Sequence, residues 1–429
     1  MSPEFREYER TVTTVVNAYL LPTCRACLEG LDGAADEVRI MTSAGGLTDL
    51  DDAARFPVSL LLSGPAGGVL AGSSVAAASG FPDAVTFDMG GTSTDVCLVQ
   101  GGVPEPAGER SVAGFPIRRP SLDVHTIGAG GGSIAKLDAG GALAVGPRSA
   151  GAVPGPACYG HGGTEATVTD ADLVAGRLPT GVSLPGIGVL DRSAAQRALD
   201  EAGITADDVI AVVDAAMEEA VRAVSVARGV DRAASPSWPS AAPDRSTPAP
   251  WPTRGHGCRD RAARAGVLSA VGCLAAPVQA DRVRSWPRGA DLTGLEEEVE
   301  ALMGELDAAA GSGDGGAPMA GVERFASFDC RYQGQSHEIR VGEPGDFPAA
   351  HEQRNGYARP GTPIEVVAVR ATRRVASPVQ VGDLPPVERT SVVGPAVIAE
   401  ADCTIWVPDG WRADPHPVTS AFVLTRAAV

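Results

Sequence analysis

Apolar and polar positions recur along this chain with two different periods, and the change from one to the other marks its elements. Residues 3–29 carry apolar side chains at three- and four-residue steps, which predicts an amphipathic helix. VRIMTSAGG (Val38 to Gly46) reads as a strand. LLLSGPAGGVLAGSSVAAASG reads as a glycine-rich turn opening a helix of small residues. AVTFDMGGTSTDVCLV (Ala84 to Val99) predicts a buried strand, a tight glycine turn and a second strand, that is, a hairpin with a polar tip. Ile117 to Asp138 predicts a strand running into glycines, and Ala198 to Val230 a helix. The sequence 233–261 breaks the pattern. Six prolines fall between Pro236 and Pro252 and no apolar period is present, so an irregular, exposed linker is expected there, between packed helices. ARAGVLSAVGCLAA resumes a packed helix, and TGLEEEVEALMGELDAAAG is a polar one. Beyond Val322 the period shortens to two, with Pro and Gly turns, which predicts a β-rich domain. The expected segments are 1–232, 233–262, 263–310 and 320–429.

Charge and cysteine usage narrow the function. A formal net charge of −18 argues against nucleic acid and against an anionic membrane surface, both of which need clustered Lys and Arg. No apolar run reaches the ~18–20 residues of a spanning helix, and the first residues lack the pattern of a secretory signal. The eight cysteines are scattered, as reduced thiols in a cytosol are. Cys24 and Cys27 have no second pair at metal spacing and read as two helix cysteines.

The hairpin tip carries the densest chemistry. Gly90 and Gly91 let the backbone approach a ligand, and Thr92, Ser93 and Thr94 add hydroxyls. Asp88 cannot touch phosphate directly without repulsion, but it can hold Mg2+ or orient an attacking water, and Asp95 joins it as a second candidate catalytic acid. Together these are the parts of a phosphate clamp of the actin or hexokinase kind. The alternative is a plain turn with capping hydroxyls. Gly128, Gly130, Gly131 and Gly132 follow a strand and either admit a nucleotide or simply turn the chain. Asp123 and His125, two apart on one strand, are expected to face the same way into the cleft of the hairpin tip. There they bind a divalent metal, act as acid and base, or form a structural hydrogen bond. Ser63 to Gly68 reads as an anion-binding or close-packing turn. Cys158, near His161, is a weak candidate nucleophile in a rigid loop.

Ten motifs in order resemble the hydantoinase A/5-oxoprolinase family: MTSAGGLT, LLSGPAGGV, TFDMGGTSTDV, PSLDVHTIGAGGGSIA, GPRSAGAVPGPACYGHGG, TVTDADLV, ARAGVLSAVG, RYQGQSHEI, FPAAHEQRNGYA and GPAVIAEADCTIWVP. The resemblance implies an α/β fold, with half of an actin-like (ribonuclease H-like) ATPase core and a C-terminal β-rich domain. It implies ATP with Mg2+ or another divalent metal, a cyclic amide substrate such as 5-oxoproline or a hydantoin, and a hydantoinase B-like partner subunit. The ring carbonyl oxygen would be phosphorylated and the ring then opened by water. Related subunits serve ketone carboxylases, and a non-catalytic fragment that binds a partner is a third reading. Two departures from the family stand out. Its members begin with a further domain bearing an earlier phosphate loop, which this sequence is expected to lack. The sequence 233–261 replaces a glycine-rich stretch like LVAFGGAGPLHA. One base restored after Asp231 turns GC-rich codons for this segment into that stretch, so a compensated frameshift is expected.

Overall fold

The computed structural model describes residues 6–107, 109–184, 186–228, 230, 240–241, 259–311 and 321–426. The fold is α/β with mixed sheets, and the chain divides into two compact units, each assembled from three separated stretches. No described helix is long and apolar enough to cross a membrane.

The first unit comprises Met1–Gly67, Pro106–Asp123 and Cys273–Gln380. Its six-stranded sheet runs in the order Arg39–Met41, Leu47–Asp49, Val278–Ser285, Ile364–Val375, Val322–Tyr332, Ile339–Val341. Period-two alternation sends Phe328, Val369 and Ala371 to one face, where Leu302 and Leu306 of helix Leu295–Gly311 cover them. His351 is buried among the rings of Tyr332, Phe347 and Tyr357. Its ring nitrogens meet the Tyr357 carbonyl (2.8 Å) and the Gln335 amide (3.0 Å), so two of the tail motifs meet in packing. Helix Glu7–Glu29 forms as expected, but its buried side carries polar residues beside Leu28. Its buried side holds Thr13, which accepts from Arg118 N, and Asn17, which bonds Arg55 O and Val58 N. Tyr8, Val15 and Tyr19 are exposed. Hydrogen bonds to loop backbone decide that face, because those loop groups need partners once buried.

The opposite sheet face holds a buried ion cluster. Arg370 donates to Asp329 Oδ2 through Nε (2.9 Å) and Nη2 (2.7 Å), and Arg340 donates to Oδ1 (3.3 Å). Burial alone would raise the Asp329 carboxyl, but Arg370 and then Arg340 outweigh it and hold the group below the ordinary carboxylate range. A depressed folded value favours the ionised form. Its contribution to stability is therefore complete above the unfolded value of about 3.9 and is lost as pH falls through the folded one. Urea unfolding of wild type and Asp329→Asn should differ most near neutral pH and converge in acid. A gap that stays constant down to pH ~2 would overturn this account.

The second unit comprises Gly68–Glu105, Val124–Gly272 and Val381–Val429. Ala84–Met89 and Thr94–Gln100 form the expected antiparallel hairpin, flanked by Val124–Ile127 on one side and Ser240–Ala241, parallel, on the other. Val85, Phe87, Val96 and Leu98 pack on helix Ala206–Val224 through Val213, Met217 and Val221. The expected single helix over 198–230 is two. Arg192–Ala202 ends at Gly203, whose φ of 68° a glycine adopts without steric cost, and Thr205 then caps Ala206–Val224 by accepting from Asp208 N. The flanking helices of 233–261 pack on cores, as Val224 and Leu268 show. The described parts of that segment, Ser240–Ala241 and Arg259–Arg261, are strand rather than irregular, and the rest lies outside the described residues. The β-rich tail is shared between the units. From Val381 on it forms a sheet of Val392–Val393, Trp411–Pro415 and Phe422–Arg426 with Arg259–Arg261.

Candidate functional site

Strand register decides which side chains share the hairpin's two faces. Asp88 pairs with Asp95, and Asp95 with Thr126, so these three lie in one row on one face. Thr126 Oγ1 donates to Asp95 Oδ1 at 2.5 Å, in accord with that row. Phe87, Val96 and His125 form the next row, one residue along and therefore on the opposite face. His125 thus faces away from Asp88 and Asp95, against the expectation that it points into their cleft. The register removes it as a metal ligand for that row. Asp123 stands outside strand Val124–Ile127 and belongs to the first unit, so the alternation that was to align it with His125 does not reach it.

Thr94 also turns to the inner face. It is fully buried and donates to Ala129 O at 2.6 Å, which takes its hydroxyl out of the ligand set. At the tip, Gly90, Gly91 and Thr92 are exposed and Ser93 is half-buried. Asp88 is half-buried against helix Ser63–Ala78: a Cβ built on Gly68 would lie 3.2 Å from Asp88 Oδ2 and 3.1 Å from Ser269 Oγ. Two further motifs, SGPAGG and RAGVLSA, therefore meet beside the Asp88 carboxylate. Sequence alone named Ser269 only as part of a motif.

The two glycine loops touch directly. Gly131 N donates to Gly90 O (3.0 Å) and Gly132 N to Gly91 O (2.7 Å). Gly130 N donates to Ser133 Oγ (2.8 Å), and Ser133 N to Gly130 O (3.0 Å). Thr169 donates twice to Gly131 O, from its amide and its hydroxyl, both at 2.8 Å. Gly132 O accepts from Ala150 N (2.8 Å). Gly128 packs its Cα side on Pro147. Gly130 is the closest fit of the set: a Cβ there would lie 2.6 Å from Gly90 O and 2.8 Å from both Thr92 N and Ser93 N. These are backbone atoms with nowhere to yield, so Gly130→Ala should cost about 1–3 kcal/mol in overpacking. Gly91→Ala, with nothing within 4 Å of its Cβ, should change stability little. Equal melting temperatures for the two variants would refute this contact.

Cys158 is fully buried, and burial, then Asp170, pushes its thiol well above the ordinary cysteine range, which rules out a resting thiolate nucleophile. Among the described residues, one group of three metal-type side chains has its ligand atoms in mutual reach: Glu400, Asp402 and Cys403. It is already engaged. Arg389 donates to both Glu400 oxygens, Gly266 N to Asp402 Oδ2, and burial beside Glu400 pushes the Cys403 thiol up to about 12.

The hydantoinase/oxoprolinase family model matches residues 10–282. Caprolactamase subunit alpha of Pseudomonas jessenii is 32% identical over 99% of this chain and 70% of its own length. The chain belongs to the hydantoinase/oxoprolinase family. The crystal structure of the ATP-dependent caprolactamase from Pseudomonas jessenii superposes with a TM-score of 0.81 at 30% identity, covering 99% of this chain and 71% of that one. Among other family relatives, the 5-oxoprolinase of Saccharomyces cerevisiae is 42% identical over 42% of this chain and 14% of its own length. The acetophenone carboxylase gamma subunit of Aromatoleum aromaticum is 37% identical over 46% of this chain and 28% of its own. The chain therefore spans a part of each of these relatives.

Proposed function

We propose that this chain is part of an ATP-dependent enzyme that opens a cyclic amide, with the hairpin tip Asp88–Asp95 as its phosphate clamp in one half of an actin-like core. The observation that carries this reading is the row Asp88, Asp95 and Thr126 beside an exposed glycine tip. Two carboxylates directly opposed on adjacent strands repel each other, and a cation between them offsets that cost. Their hard oxygens suit Mg2+, which when bound would neutralise phosphate charge. Asp88 and Asp95 would hold it, and Thr126 fixes the Asp95 rotamer. Gly91, Thr92 and Ser93 lie at the exposed tip, where backbone and hydroxyl donors can meet phosphate oxygens. The amide ring follows from the caprolactamase and 5-oxoprolinase relatives, and a partner subunit from the subunit names of caprolactamase and the carboxylase.

The test is phosphate release by the chain, with and without a co-purifying partner, in the presence of 5-oxoproline, a hydantoin or caprolactam. Turnover that depends on one of these rings supports the reading. Turnover that instead needs a ketone and bicarbonate supports the second reading, a ketone-carboxylase subunit, which the acetophenone carboxylase relative favours. No nucleotide-dependent activity under any condition leaves the fragment that only binds a partner.

A further inference from the structure

Gly128 to Gly132 looks in sequence like a second phosphate cradle, yet the hydrogen bonds engage the amides of Gly130, Gly131 and Gly132 inside the protein. A cradle needs amides that point at the ligand. Gly131 and Gly132 instead point theirs at the carbonyls of Gly90 and Gly91. We propose that the loop is a backbone clamp that sets the shape of the hairpin tip, and that Thr169 is its positioning residue. The proposal deepens the phosphate-clamp reading of the tip and rests on it.

One peptide unit couples Thr169 to the tip. The peptide between Gly131 and Gly132 is planar, so its C=O and N–H turn together. Thr169 holds the C=O end with two donors, and Gly91 O accepts from the N–H end. Rotating that plane breaks all three bonds. Donors on the carbonyl also polarise the amide on the far side and strengthen its bond to Gly91. Thr169 can act as a fixed post because the next residue, Asp170, is fully buried. Asp170 Oδ2 accepts from Ala157 N, Thr167 N and Thr167 Oγ1, and Oδ1 from Cys158 N. The motifs TVTDADLV and GAGGGS thereby act together to place the exposed Gly91 and Thr92 and the half-buried Ser93.

Amide hydrogen exchange on the full chain, resolved by residue with NMR, tests this. Thr169→Val keeps the amide donor and removes the hydroxyl. It should speed exchange at Gly131 and Gly132 about five- to tenfold while the melting temperature stays near wild type, and Thr169→Ser should restore slow exchange. Unchanged exchange in Thr169→Val overturns the proposal. A second arm needs no variant: wild type is titrated with ATP and Mg2+, and with inorganic phosphate. Resonances of residues 91–93 should shift while the Gly131 and Gly132 amides keep their slow exchange. Shifts at Gly131 and Gly132 as large as those at the tip would make them ligand contacts and overturn the proposal. Shifts nowhere would instead count against the phosphate-clamp reading, and the Thr169 exchange result alone then decides the clamp.

Discussion

On the phosphate-clamp proposal, Asp88→Asn should lower ATP turnover by the assembly containing this chain about 10³-fold and leave the fold intact. Asn has the shape of Asp but not its charge. The site is half-buried at a strand end, so no core packing is disturbed. Directly opposite stands Asp95, and removing one of two facing carboxylates relieves repulsion. Stability should therefore stay within about 1 kcal/mol of wild type in urea unfolding. The pairing of a large functional loss with a flat stability is what separates a working carboxylate from a structural one. Retained turnover would remove Asp88 from the mechanism, and a lost fold would make it structural. Asp95→Asn should behave in the same direction but with more structural cost, because Asp95 Oδ1 accepts from Thr126.

How much of this was legible in sequence differs by residue. The hairpin was, because five of the six residues before a Gly-Gly turn are apolar or β-branched, and a similar run resumes beyond it. The contact between the two glycine loops was foreseeable as proximity but not as chemistry. Glycines that admit a ligand and glycines that admit another backbone look alike until their amides are traced. His125 was misplaced by one position of register, and in a strand one position is a whole face. For Asp123 the alternation argument does not apply, because the strand that was to carry it begins at Val124. The division of helix 198–230 was written in Gly203 and Thr205, but the three- and four-residue period runs across them and masked the stop. Helix Val168–Val174 was hidden because it is short and two of its buried residues are aspartates, which an apolar pattern cannot register. The separated stretches of each unit are set by contacts far apart in sequence, which no local period reports.

Those aspartates lead to the largest expected loss of stability, Asp170→Ala. Asp170 has no accessible surface, and its two oxygens accept from four donors. Alanine leaves those donors without partners in a closed interior. Each costs about 1–3 kcal/mol, reduced where water can enter the space left behind. A total of about 4–5 kcal/mol is expected, against a typical domain stability of about 5–15. The isosteric Asp170→Asn should not rescue it. One of the two oxygens becomes an NH2, which must face either Cys158 N or the trio of Ala157 N, Thr167 N and Thr167 Oγ1. Facing Cys158 is the milder choice, and a loss of about 2–3 kcal/mol follows. Thr167→Val removes a single hydroxyl that both donates to Asp170 Oδ2 and caps the helix, so about 1–2 kcal/mol is expected. Urea unfolding should rank the variants Ala, Asn, then Thr167→Val in order of damage. The Asn variant should also loosen the Ala157–Cys158 loop, exposing the Cys158 thiol to alkylation that wild type resists. An Asp170→Asn variant as stable as wild type would show that the carboxylate is not what holds this corner together.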